Sequence, residues 1–385
     1  MSDDNSNFST DSFTEVTSTG WVSRIGQSLA GVVFGFIGIL VAIGVLYWNE
    51  GRAVEAHTAL SEGAGAVVTV PAQPVNPAME GRLVHVVGLA ETQNPARDPI
   101  LGVSAPGLLR LHRIAETYQW KETQRSQTNT ELGGSEQTRT TYEYSKVWSE
   151  SAISSSEFRI PNGHGNPALT LKSQHMTAST IRLGDFRVAP ALLEELDAYE
   201  PLVPDEAVMG AKGFRPLDGM FFRGNDPGNP RVGDVRVRFE AVASQPVTVV
   251  AGQVAGELGS FIASNGYKID LIATGNRAAS AMFKMAQQDE AILTWVIRVC
   301  GFFGMMICIA MLFQPLVVLV SVLPFLEVLA GGGALLASFL LAVPLTLITI
   351  AIAWFAHRPL LSAILIVAGI GGSLLVSRLV KRKPA

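Results

Sequence analysis

The residues able to do chemistry in this 385-residue chain gather at the margins of long apolar runs. Glu50 and Arg52 follow Trp48 at the end of one run, and Arg298 stands near the start of a second. Glu327 lies in a proline-bearing gap, and Arg358 follows the third run. An ionisable group beside a membrane span marks a pathway, a buried pair, or the level at which water begins. For Glu50 and Arg52 two readings stand. They mark the water boundary, or they pair with a sheet or a neighbouring protomer and fix a domain against the bilayer. Arg298 and Glu327 sit near a helix end and a proline-rich loop, which favours snorkelling to the interface.

The remaining candidates are weaker. The histidines are His57, His85, His112, His164, His175 and His357, and no two share a ligand spacing on one expected element. A metal centre needs three or four converging ligands. His85 and His112 fall on separate strands and could meet across a sheet. Gly163-His164-Gly165-Asn166-Pro167 reads as a turn, because Gly and Asn-Pro supply unusual backbone angles. Ser151, Ser154, Ser155 and Ser156 lack a nucleophile elbow, and the loop glycines follow no phosphate-binding pattern. The sequence thus offers no catalytic residue, cofactor-binding residue or metal ligand, and a non-enzymatic protein without cofactor is expected.

Composition narrows the class. Hydrophobic residues make up 48% and charged residues only 16%, against roughly 25% charged in soluble domains. Net charge is −4 with no basic cluster outside the C-terminus, which disfavours nucleic acid as a partner. The two cysteines, Cys300 and Cys308, lie in one apolar run, so the middle of the chain uses no disulfides.

The elements that position these residues follow from the apolar runs. A bilayer core roughly 30 Å thick needs about 20 apolar residues in a helix. The expected layout is a disordered cytoplasmic tail at 1–26, a first transmembrane helix at 27–48 and an extracytoplasmic β-rich domain at 49–290. A second helix at 291–313, a short interfacial or re-entrant loop at 314–332, and helices at 333–355 and 359–379 follow. A basic cytoplasmic tail at 380–385 closes the chain. The first run exceeds the apolar core of a signal peptide and ends in the interfacial pair Tyr47-Trp48, so it reads as uncleaved. Arg378, Lys381, Arg382 and Lys383 orient the C-terminus to the cytoplasm, and four crossings bring the N-terminus to the same side. Gly31 and Gly35 have the spacing that admits a close helix neighbour. Within 49–290, alternation predicts strands at 82–91, 108–124, 138–150, 170–188, 220–223, 233–243, 247–254 and 267–274. The pair 108–124 and 138–150 forms a hairpin, with Tyr142, Tyr144 and Trp148 facing Tyr118 and Trp120. The fold class is a four-helix multi-pass membrane protein bearing a large antiparallel β-rich (α+β) extracytoplasmic domain.

Several phrases then assemble into a known pattern. They are Trp48-Asn49-Glu50-Gly51-Arg52-Ala53, Glu80-Gly81-Arg82-Leu83-Val84-His85-Val86-Val87-Gly88, Tyr118-Gln119-Trp120 and Arg358-Pro359-Leu360. With them stands Asn229-Pro230 before Gly233-Asp234-Val235-Arg236-Val237-Arg238-Phe239. The chain resembles the transmembrane protein 43 (LUMA) family over nearly its whole length after residue 20. The resemblance implies a non-enzymatic membrane organiser with both termini cytoplasmic; animal members sit in the endoplasmic reticulum and inner nuclear membrane among other envelope proteins. The Ala, Gly, Val and Arg content suggests a bacterial member, with the domain in the periplasm of an inner-membrane protein.

The leading functional expectation is a scaffold that assembles through its extracytoplasmic domain and organises envelope complexes. A channel or transporter subunit is the alternative, and an enzyme with an unrecognised site the third class. Expected partners are the lipid bilayer, further copies of the chain and other membrane or envelope proteins. Exposed edges on long strands such as 108–124 would supply the lateral contacts. Candidate interface or assembly residues are Trp48, Glu50, Arg52, Tyr118, Trp120, Trp148 and Arg358.

Overall fold

The computed structural model describes residues 11–357, which divide into two compact units. The first holds residues 11–16, Gly63–Gln127 and Arg139–Phe283, and the second holds Thr17–Glu62, Thr128–Thr138 and residues 284–357. Each has its own core.

The elements used below are β1 (Asp11–Thr19), α1 (Trp21–Ala66), β2 (Leu83–Glu91), β3 (Leu108–Thr130), β4 (Glu136–Ser149), β5 (Gln174–Thr177), β6 (Val235–Ala243) and β7 (Gln245–Val254). Two long helices follow, α2 (Ala279–Val320) and α3 (Pro324–His357). One sheet has eight strands and runs β1-β4-β3-β6 before two short strands at Met220–Arg223 and Arg215–Leu217. β5 adds to β3, and the short strand Glu200–Leu202 adds to β6. In the second, seven-stranded sheet, β2 and β7 lie side by side.

Period-two sequence explains β6. Val235, Val237, Phe239 and Ala241 are buried, while Arg236, Arg238 and Glu240 take the other face. The antiparallel register with β3 sets Val237 against Ala115 and Ala241 against Leu111, so both strands feed one core. It also sets Arg236 opposite Glu116, where Nε and Nη2 donate to the carboxylate at 2.6 and 3.1 Å. β7 lies between β2 and the strand Leu271–Thr274, so Val247 through Gln253 are buried and alternation disappears. Inside this unit Arg113 meets Asp98 at 2.5 Å with both side chains almost wholly buried.

The structure departs from the sequence reading in four places. Residues 11–19 are strand β1 and α1 already begins at Trp21, so the disordered tail expected at 1–26 is corrected over its described part. The Thr-rich segment offers β-branched side chains, and Phe13 stacks on Tyr142 across the pair, with centroids 6.3 Å apart. β1 and β4 pair within one sheet, whereas the sequence reading set 1–26 and 49–290 on opposite sides of the membrane. β3 is no edge, because β4 and β6 flank it. Finally, α2 continues through Pro315 to Val320 and α3 starts at Pro324, which leaves residues 321–323 as the connection instead of 314–332.

The helical unit is built from α1, α2 and α3, of 46, 42 and 34 residues. All three are long and apolar enough to cross a membrane. The expected span at 359–379 and the tail at 380–385 lie outside the described residues. α1 and α2 approach closely where α1 lacks side chains. A Cβ on Gly35 would stand 2.7 Å from the Cys308 carbonyl, and one on Gly38 would collide with the Cys308 thiol. Gly31 has nothing within 4 Å, so the contact uses Gly35 and Gly38 instead of Gly31 and Gly35. Ala42, Leu46, Met305, Ile309 and Ala342 form the buried centre.

The hairpin aromatics yield a test. Trp148 stacks against Tyr118 at 5.0 Å and carries the Arg236 guanidinium 4.7 Å from its ring centre. Truncating a fully buried Trp costs about 3–5 kcal/mol, and the half-buried Trp148 should cost roughly 2 kcal/mol when cut to Ala. Thr128→Ala, near the exposed tip, should cost less than about 0.5 kcal/mol. Thermal melting followed by limited proteolysis compares the two; equal losses would remove Trp148 from the packing of this sheet.

Candidate functional site

The helical unit gathers its polar side chains at two places, the first around Glu50. α1 presents Glu50, Ala53, His57 and Leu60 at steps of three to four residues, and α2 presents Gln287, Glu290, Thr294 and Arg298 in the same way. α3 contributes Trp354 and His357 near its end. These steps bring one stripe of each helix together around a small cavity of ≈ 180 Å³, lined by Glu50, His57, Gln287, Glu290, Arg298 and Trp354 among others.

Glu50 is the centre, 2% exposed. Arg298 donates to it twice, Nε to Oε1 and Nη2 to Oε2, each at 2.7 Å. The Trp354 indole donates to Oε2 at 2.7 Å, so one carboxylate binds α2 and α3 to α1. The Arg298 guanidinium also lies 4.9 Å from the ring centre of Trp295. Two residues on, Arg52 Nη1 pairs with Glu290 and Nη2 donates to Thr294 Oγ1 at 3.4 Å. Asn49 Nδ2 donates to the Thr294 carbonyl at 3.2 Å. Gly51 is required here, since a Cβ would stand 2.9 Å from the His357 ring.

A second polar knot closes the other end of α1. Arg24, 6% exposed, donates Nη1 to the Gly134 carbonyl at 2.7 Å and to Ser321 Oγ at 2.9 Å. Its Nη2 pairs with Glu327 at 2.6 Å and Glu136 at 2.7 Å. Trp21 Nε1 donates to the Val318 carbonyl at 2.8 Å, and Gly133 N donates to the Val322 carbonyl at 3.0 Å. The α2–α3 turn, the start of α1 and the hairpin tip are thereby joined.

These placements revise the reading of single residues. Glu50 and Arg52 pair with α2, where the sequence left a water boundary or a sheet and a neighbouring protomer as the choices. Arg298 is no snorkelling side chain, because Glu50 holds it; Glu327 likewise meets Arg24. Trp48 is exposed on the outside of α1, and Arg358 lies outside the described residues. Tyr118 and Trp148 meet, whereas Trp120 packs edge-on against His164 at 4.7 Å and under the Lys146 ammonium.

His85 and His112 do not meet, since β2 and β3 belong to different sheets. His85 bonds Thr69 and the Arg277 carbonyl, while His112 stacks on His175 of β5 at 3.7 Å. The β3–β5 register, which sets 112 opposite 175, brings them together. Sequence reasoning also missed His164. It is 4% exposed, stacked on Tyr144 at 3.9 Å, with its ring nitrogens on the Ile160 carbonyl and Asp11. Tyr144 donates to Glu122 at 2.7 Å, and burial with that bond raises its pKa to about 12. Among the described residues no group of three or more His, Cys, Asp or Glu is placed to hold a metal.

What the cluster does is hold three helices in register.

The comparisons with known proteins agree on one family. The family model described as Transmembrane protein 43 matches residues 117–359. The rat protein named Transmembrane protein 43 is 30% identical over 358 residues, covering 90% of this chain and 89% of its own length. Its human namesake is 30% identical over 363 residues, covering 91% and 90%. The Drosophila melanogaster homologue is 29% identical over 358 residues, covering 88% and 91%. No solved structure matches.

Two tests follow from the site and the histidine pair. Removing one partner of a buried ion pair costs about 3–5 kcal/mol, whereas replacing both by apolar residues is often neutral. Arg298→Met should therefore lower melting sharply in detergent, and adding Glu50→Leu should recover most of the loss; no recovery would mean the two residues are not coupled. For His112, burial first and His175 second hold the pKa below 6.5. The unfolded chain then binds the proton first, so the contribution is intact above about 6.5 and is lost as pH falls below it. Melting at pH 5.5 against pH 7.5 should drop more in the parent protein than in His112→Gln; identical drops would remove the pair as a source of acid sensitivity.

Proposed function

The chain belongs to the transmembrane protein 43 family, and on that premise we propose that this integral membrane protein is a non-enzymatic scaffold. It assembles with copies of itself and organises other membrane or envelope proteins around it. The observation that supports this reading is the fate of the charges in the helical unit. Glu50, Arg298, Arg52, Glu290, Arg24 and Glu327 all engage one another across helices. A conducting or transporting bundle leaves ionisable groups facing a pathway; here they are used to stiffen the bundle. A stiff helical unit anchored in the bilayer presents copies of the chain in a common orientation, so lateral contacts repeat at small orientational cost.

The edge contacts once expected of β3 are not the source, since β3 is interior. The exposed outer strand β1 and the short strand Arg215–Leu217 remain as the ends of that sheet. The Ala, Gly, Val and Arg content supports a bacterial inner membrane as its home, with the sheet unit in the periplasm. In a eukaryotic cell the corresponding compartment is the lumen of the endoplasmic reticulum or nuclear envelope.

The full chain in nanodiscs, weighed by mass photometry over a range of concentrations, tests the assembly. Oligomers that persist on dilution, with envelope proteins recovered by crosslinking in native membranes, are expected. A strictly monomeric protein with no crosslinked partner would defeat the scaffold reading and bring a channel or transporter role to the front.

A further inference from the structure

The small polar cavity at Glu50 does not stand alone. It shares Trp295, Arg298 and Trp354 with the wall of an apolar groove of ≈ 590 Å³ between α2 and α3, whose other walls include Val299, Phe302, Phe303, Val343, Leu347 and Ile350. Spacings of three and four residues on each helix make the groove run along both axes. Trp295 and Leu347 are 63% and 59% exposed, so the walls are accessible from the hydrocarbon side. A cavity lined by charged groups, adjoining a long apolar groove across three shared residues, suits an amphipathic ligand, with its tail in one part and its head in the other.

The charges choose the head. Glu50 is held by Arg298 and Trp354, and Glu290 is held by Arg52. Arg298 uses Nε and Nη2 on Glu50, and its Nη1 makes no hydrogen bond among the described residues. His57 lines the same cavity with an exposed ring. An unused guanidinium N–H and an imidazole, beside carboxylates already neutralised, favour an anionic oxygen. The three tryptophans Trp48, Trp295 and Trp354 also suit the headgroup level of a bilayer.

We propose that this groove binds one acyl chain of an anionic phospholipid and that the cavity takes its phosphate, on Arg298 Nη1 and His57. The competing occupant of the groove is the chain's own apolar run at 360–379, which follows Arg358-Pro359 directly after α3. The lipid site is independent of the assembly reading, because lipid retention and oligomer mass are read separately.

Native mass spectrometry of the full-length protein, delipidated in detergent and titrated with phosphatidylglycerol or phosphatidylcholine, supplies the test. One phosphatidylglycerol per protomer, retained at least five-fold better than phosphatidylcholine, is expected. His57→Gln should shrink that preference about three-fold, and it leaves the Glu50 ion pair intact. Leu347→Trp, which fills the groove from an exposed position and spares fold and clasp, should abolish retention while melting stays unchanged. Retention by Leu347→Trp equal to the parent, or no preference between the two lipids, would overturn the proposal. A disulfide forming in high yield between Leu347→Cys and Ile364→Cys, in a Cys300→Ala and Cys308→Ala background, would overturn it too. That result would show the groove occupied by the chain itself.

Discussion

A carboxylate taken out of water must find its counter-charge inside the protein, and the helical unit is arranged around meeting that demand at Glu50. The isolated charge would be very costly in a low-dielectric bundle. Arg298 supplies a bidentate partner and Trp354 a third donor, one from each of the other two helices. The pair is weak evidence for stability, because well-packed apolar residues could do as well. Its effect is on specificity. Sliding α1 against α2 by one turn, about 5.4 Å, would part the carboxylate from its guanidinium, and sliding α3 would remove the indole. Smooth apolar helices have few other features to prevent such slips, and here the nearby Arg52–Glu290 pair repeats the constraint.

The packing below the clasp depends on it in turn. Gly35 and Gly38 let α1 approach α2 within contact of Cys308 only in the register that the charges define. Gly301 does the same from the other side, where a Cβ would stand 2.6 Å from Leu46. Small residues give close approach but little direction, since lipid competes well with apolar side chains for a helix face. The polar contacts set the register, and the small residues then make the contact tight.

How far the sequence shows this depends on the range of each interaction. The membrane helices are legible because length and apolarity are local properties, and the Val235–Ala243 strand is legible because one of its faces is buried. Strand β1 is not, since its Thr and Ser residues form an outer strand without an apolar period and depend on β4 to order them. The α2–α3 connection was misplaced because Pro315 and Pro324 look like breakers, yet Pro315 is held within α2 and Pro324 opens α3. Glu50 and Arg298 were both visible as charges near spans, but their pairing joins residues 248 apart in sequence. The same holds for His112 and His175, whose contact is a consequence of register.

The two polar knots also limit how a membrane can surround this unit. Arg24 and Glu50 lie 26 residues apart on one helix, about 39 Å at 1.5 Å per residue, which exceeds a hydrocarbon core of about 30 Å. Each knot can therefore sit in its own interface, with the uncharged turns from Ser28 to Asn49 between them. The Glu50 knot is built with the start of α2, and the Arg24 knot with the hairpin tip at Gly133, Gly134 and Glu136. Both are segments of the region that the sequence placed wholly on one side of the bilayer. Polar backbone at membrane depth is tolerated only within protein or beside water. If α1 crosses between its two knots, the backbone of the hairpin tip at 128–138, which belongs to the helical unit, must be sheltered by protein or meet water.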